Sequence, residues 1–177
     1  MDVPKRTREA NLGIEKAVRY LISEVETYCD NEKPLIVHCI RVGFRLDLYG
    51  YDKEIVQAAL LHDLLEDTKA SIKDIESKFG SRVANLVAAS TLDKAIADKK
   101  ERYKLNYESA LKVGPDALVI RAADLLDNSF YYSLVNKDIY NYLLGKLSYF
   151  LKLSEAKIGK ERIYKDLKER LVILQKI

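Results

Sequence analysis

The chain has 177 residues, 48% of them hydrophobic and 32% charged, enough to bury one sizeable core without disulfides. Its net charge of +3 is too small to argue for nucleic acid, and no run of about 18 apolar residues marks a membrane span or an N-terminal signal core. Cys29 and Cys39 form no C-x-x-C pair and read as reduced thiols of a cytoplasmic protein, while seven Gly and three Pro favour long helices over many short strands.

Helical spacing runs through nearly the whole chain. Residues 8–29 carry Leu12, Ala17, Tyr20, Leu21 and Val25 about three to four apart. Pro34 opens a second helix, "PLIVHCIRVGFRLDLYG", which Gly50 closes. Asp52 caps a third through "KEIVQAALLHDLLED". Ser71 and Asp74 form a capping-box start for a short helix ending at Gly80, and Ser81 caps the next, "RVANLVAASTLD". A charged connection, "KAIADKKER", leads into a helix that runs to about Val113. Gly114-Pro115 is the clearest break, followed by a helix through "DALVIRAADLLDNSFYYSLV". Two more helices are expected over 138–153 and 160–176, the last with Ile163, Leu167, Leu171 and Leu174 on one stripe. That stripe closes the bundle or, alternatively, pairs with a second copy in a homo-oligomer. The expectation is a single all-α domain over 1–177, a bundle of eight or nine helices, with a motif-bearing core at 34–128 and C-terminal helices over 138–177 packed on it.

The stretch "AALLHDLLEDT" places His62, Asp63, Glu66 and Asp67 in an otherwise apolar helical run. On a continuous helix His62 lies beside Glu66, and Asp63 beside Glu66 and Asp67. His62 and Asp63 are about 100° apart, but both can reach one ion lying off the helix. An imidazole with a carboxylate suits Mn, Fe, Zn or Co better than Ca. His38, the only other histidine, and Asp124 each arrive on a separate predicted helix, also after apolar runs. Charged groups that interrupt apolar faces are costly to bury alone, and a cation removes that cost. His38, His62, Asp63 and Asp124 thus form a candidate two-His, two-Asp set.

The order H…HD…D resembles that of the HD superfamily of metal-dependent phosphohydrolases. "AALLHDLLEDT", "IKDIESKFGSRVANLVAASTLDK" and "VIRAADLLDN" resemble segments of the RelA/SpoT-type alarmone hydrolases, over about residues 34–128. The resemblance implies an HD-type helical domain and a metal-dependent hydrolase of a small phosphorylated nucleotide, a (p)ppGpp-type 3′-pyrophosphohydrolase. It implies that His38, His62, Asp63 and Asp124 bind a divalent metal, taken as Mn2+, with Fe, Zn, Co and Mg as alternatives. Glu66 and Asp67 match the acidic pair that orients or deprotonates the attacking water; which of the two is the base stays open. Arg121 and Asn128 match substrate-side positions, and Arg41, one turn after His38, is a further candidate phosphate contact. With no synthetase-like segment after it, the chain reads as a small hydrolase-only form.

Four positions depart from that pattern. Cys39 follows His38 where the family has Pro, "EVETYCDNEK" holds no upstream Arg-Lys pair, and Leu125 and Tyr131 stand where a basic residue and a Thr are common. These changes fall on substrate recognition and not on metal binding. A 5′-nucleotidase or phosphodiesterase, or a non-catalytic nucleotide-binding regulatory module, therefore stands as the alternative. Neither nucleic acid nor membrane is an expected partner.

Overall fold

A computed structural model describes residues 5–30 and 33–176. Among the described residues it is all helical, with no strand, and the chain divides after Thr91 into two compact units. No helix among them is long and apolar enough to cross a membrane.

The first unit holds α1 (Lys5–Thr27), α2 (Leu35–Leu48), α3 (Lys53–Leu61), the single turn α4 (Leu64–Asp67), α5 (Ile72–Phe79) and α6 (Ser81–Ser90). Its centre is α3, in which every residue from Ile55 to Leu61 is buried, with α1, α2 and α6 packed around it. Asp52 caps α3 as expected, accepting from the Glu54 and Ile55 N–H groups. Gly43 allows α2 to lie close on α3, because a Cβ there would stand 2.5 Å from the Leu60 side chain. On α1, Ala17, Tyr20 and Leu21 are buried, whereas Leu12 is exposed and Ile14 takes its place in the core.

Three expected boundaries in this unit change. The helix expected over 53–67 stops at Leu61 and restarts at Leu64, so His62 and Asp63 form the joint. Asp63 has φ −94° and ψ −6°, and its carbonyl accepts from both the Glu66 and Asp67 N–H groups to start the new turn. Buried Leu60, Leu61 and Leu64 carry the apolar pattern straight across the break, so periodicity does not reveal it. Ser81 also does not cap α6. Gly80 ends α5 and starts α6 by itself, which makes Ser81 the first helical residue, with no side-chain cap. The Ser71–Asp74 capping box forms as expected. α6 ends at Ser90, short of the expected Asp93; the Ser90 and Thr91 hydroxyls donate back to the Leu86 and Val87 carbonyls in its last turn.

The second unit holds α7 (Lys99–Val113), α8 (Pro115–Ser129), a 3₁₀ turn (Tyr132–Leu134), α9 (Lys137–Ile158) and α10 (Arg162–Leu174). Here α8 is central: every residue from Ala117 to Asp127 is buried, and α7, α9 and α10 surround it. Gly114, at φ +125°, gives the α7–α8 break a backbone angle that side chains other than glycine's resist, and Pro115 begins α8. α8 stops at Ser129 and does not run on to 135. Arg170 of α10 donates to the Ser129 carbonyl at 3.0 Å and to its hydroxyl at 3.3 Å, capping the helix from 41 residues away. α9 extends five residues beyond the expected 153. Ile163, Leu167 and Leu174 of the α10 stripe are buried within this unit.

Candidate metal centre

The break between α3 and α4 decides the geometry around His62 and Asp63. On an unbroken helix their side chains would diverge by about 100°. At the joint, His62 Nε2 stands 3.1 Å from Asp63 Oδ1. From α2, His38 brings its own Nε2 to 3.3 Å from His62 Nε2 and 3.5 Å from Asp63 Oδ2. Both imidazoles are buried, and Asp63 is nearly so.

The tautomer of His62 follows from its other nitrogen. Nδ1 lies 2.8 Å from the Ala59 carbonyl, which can only accept, so Nδ1 carries the proton. In the neutral ring, Nε2 then presents a lone pair to Asp63 and to His38. Two imidazole nitrogens and a carboxylate facing one another in a buried space are bridged either by a proton, as on His38 Nε2 in one of its neutral tautomers, or by a metal ion. The spacing also suits the second. Donors bound at about 2.1 Å to one ion stand about 3.0–3.4 Å apart for right-angle or tetrahedral ligation. The donor set of two imidazoles and a carboxylate suits a divalent transition ion.

Two residues outside the expected set also reach this place. Cys39 Sγ lies 4.0 Å from His62 Nδ1, the ring edge turned away from the cluster. Burial pushes its thiol up and keeps it protonated, so it packs behind the ring. Lys33 Nζ lies 3.2 Å from Asp63 Oδ2. A lysine just before Pro34 looks like an ordinary helix start, and nothing in its spacing marks it.

Glu66 and Asp67 sit on the single turn α4, Glu66 half-buried and Asp67 buried. Arg41 lies on α2 one turn after His38 and is half-exposed. The remaining expected residues meet in the second unit, on α8. Asp124 is 5% exposed, and both of its oxygens accept from residues of its own helix. Arg121 Nη1 donates to Oδ2 at 2.7 Å and Asn128 Nδ2 to Oδ1 at 2.5 Å. Arg121 is itself buried, at 4% exposure, so its guanidinium faces the protein interior. Burial pushes the phenols of Tyr107 and Tyr132 up, the Asp124 charge adds to this, and both remain neutral hydroxyls.

Known proteins share both sequence and fold with this chain. The profile of the HD-domain family matches residues 17–112. The Drosophila melanogaster guanosine-3′,5′-bis(diphosphate) 3′-pyrophosphohydrolase MESH1 is 42% identical over 99 residues, 55% of each chain. The bifunctional (p)ppGpp synthase/hydrolase SpoT of Escherichia coli K12 is 37% identical over 132 residues, 72% of this chain and 18% of that protein. The chain therefore spans about half the length of its MESH1 relative and a smaller share of SpoT. Among solved structures, a metazoan SpoT ortholog described as hydrolysing ppGpp superposes with a TM-score of 0.76 at 26% identity, over 91% of this chain and 94% of the other. The protein lmo0812 of Listeria monocytogenes EGD-e gives 0.69 at 25% identity, over 81% and 99%.

Proposed function

Because the chain belongs to the HD-domain family, we propose that it is a metal-dependent phosphohydrolase of a nucleotide, with a guanosine 3′-pyrophosphate as the favoured substrate. One observation carries this reading: two histidine Nε2 atoms and the Asp63 carboxylate converge within 3.1–3.5 Å, with the His62 proton held on the far side of its ring. The hydrolases named above as relatives support the substrate class.

His38, His62 and Asp63 hold the ion, and Asp124 is the fourth ligand, on the strength of the H…HD…D order and its buried carboxylate. Mn2+ is the favoured ion because the resemblance to the HD phosphohydrolases implies it; the imidazole and carboxylate donors themselves suit Fe, Zn or Co as well. When bound, a divalent ion there lowers the pKa of water and offsets the charge of phosphoryl oxygens. Glu66, more open than Asp67, accepts the proton of the attacking water, and Asp67 orients it. The water oxygen forms a bond to the phosphorus bearing the 3′ oxygen, the P–O3′ bond breaks, pyrophosphate departs and the 3′ oxygen takes up a proton. Arg41 contacts phosphate. Arg121 and Asn128 are assigned to Asp124, whose two oxygens they already hold, and not to the substrate. The protein acts in the cytoplasm.

The test is a screen of Mn2+-loaded protein against guanosine 3′-pyrophosphates, nucleoside monophosphates and cyclic nucleotides. Asp63→Ala is expected to lose metal and turnover together. Glu66→Ala is expected to keep metal and lose about 10²–10⁴-fold in kcat. Hydrolysis of monophosphates without the 3′-pyrophosphate would replace the substrate assignment with a 5′-nucleotidase. Wild-type rates in both variants would remove the site.

A further inference from the structure

Lys33 stands at the edge of the cluster in a defined position. Its neighbour Pro34 precedes α2, and the Pro34 carbonyl accepts from the His38 N–H at 3.0 Å, so the backbone beside Lys33 is tied to the turn that carries His38. Its ammonium reaches Asp63 Oδ2 at 3.2 Å. Side-chain exposure rises outward through the group, from 0% at His62 and 1% at His38 to 12% at Asp63 and 34% at Lys33. The ammonium is thus on the solvent side, where a substrate must approach.

We propose that Lys33 is a phosphate-binding residue of this site, and that its bond to Asp63 is the resting arrangement that metal binding breaks. The inference rests on the metal-centre reading above. A divalent ion on Asp63 places two like charges on one carboxylate, and repulsion between them drives the ammonium off Oδ2. An anion arriving at the same mouth is its natural new partner, and a lysine ammonium binds phosphoryl oxygens as a mobile point charge. Lys33 therefore contributes little to the metal seat and much to the affinity for phosphorylated substrate. It supplies, from a turn next to the first histidine, a cation where "EVETYCDNEK" offers no Arg-Lys pair.

The two halves of the proposal predict opposite signs for one variant. Lys33→Met removes a cation that competes with the metal, so Mn2+ alone, followed by titration calorimetry, is expected to bind about fivefold more tightly than to wild type. In the Mn2+-loaded protein the same variant is expected to raise the Kd for inorganic pyrophosphate and the KM for guanosine 3′-pyrophosphate by about tenfold, with kcat within about twofold. Lys33→Arg is expected to restore KM to within about threefold, because the charge returns. A lysine that merely holds Asp63 in place would weaken Mn2+ binding when removed. Metal affinity that is unchanged or lower in Lys33→Met, or a pyrophosphate Kd that does not move, overturns the proposal. Thermal unfolding of each variant checks that the fold is kept, and the Lys33→Arg comparison decides the matter if Met at this position disturbs it. Wild-type protein that binds no Mn2+ would instead overturn the metal-centre reading, and the role of Lys33 with it.

Discussion

Asp63 and Asp124 are buried to a similar degree, 9% and 5% exposed, yet their charges are met in different ways. Asp124 lies inside α8, with a guanidinium of that helix on one oxygen and an amide on the other. A guanidinium keeps its charge at any pH a protein survives, so this carboxylate is neutralised permanently. Asp63 lies at a helix break and faces two imidazoles, whose charge depends on pH, and a lysine that is one-third exposed. The two proposed ligands thus differ: α8 already orients Asp124 through Arg121 and Asn128, whereas Asp63 gains most from a cation that enters later.

The largest expected effect tests the first half of that contrast. Arg121→Met leaves Asp124 as a buried charge without its cation and is expected to cost about 3–5 kcal/mol in urea unfolding. Asp63→Asn removes the charge and keeps a polar amide among the imidazoles, so it is expected to cost less than Arg121→Met, about 1–3 kcal/mol, while abolishing Mn2+ binding. Equal costs would mean that the two carboxylates are not held differently. Next in size is the ion itself. Mn2+ at 100 times its Kd is expected to add about 2.7 kcal/mol to wild-type stability and nothing to Asp63→Ala. Asn128→Ala falls between the sites: losing the amide on Oδ1 is expected to cost about 1–3 kcal/mol. If Asp124 is a metal ligand, the same variant weakens Mn2+ binding about 10–100-fold through misplacement of the carboxylate. An unchanged metal Kd with a raised KM would return Asn128 to the substrate side.

What could be read from the residues alone was whatever is local. The all-α class follows from apolar spacing, and the caps at Asp52 and at Ser71 with Asp74 follow from short-range side-chain chemistry. The histidine pair and its neighbour Asp63 stood out because polar groups interrupt apolar runs. The break that turns His62 and Asp63 toward each other was hidden, because the leucines on both sides keep the helical pattern. Its effect is large, since it brings His62 Nε2 to 3.1 Å from Asp63 Oδ1. Long-range partners were equally hidden. Arg170 ending α8, and Lys33 meeting Asp63 across 30 residues, depend on tertiary packing that no local spacing encodes. Arg121 shows the converse: its spacing from Asp124 is legible, but the burial that turns its guanidinium onto the carboxylate comes from tertiary packing.

The smallest effect expected concerns a third carboxylate, Asp52, which calibrates the other two. It is half-exposed, accepts from two amides at the start of α3 and pairs with Arg82. Burial pushes its carboxyl up, but the Arg82 and amide hydrogen bonds outweigh burial and hold it below the usual range. A depressed folded-state pKa means that the ionised form is favoured by folding. Its contribution is therefore complete above the unfolded value of about 3.9 and is lost as pH falls through the lower folded value. Asp52→Ala is expected to cost about 1 kcal/mol as a lost cap, with the gap to wild type flat from pH 8 to about 5 and closing below about 4. Its Mn2+ isotherm is expected to match that of wild type. A shifted metal Kd in Asp52→Ala would show that removing any acidic group near α3 disturbs the centre, and the loss of metal in Asp63→Asn could then no longer be assigned to ligation.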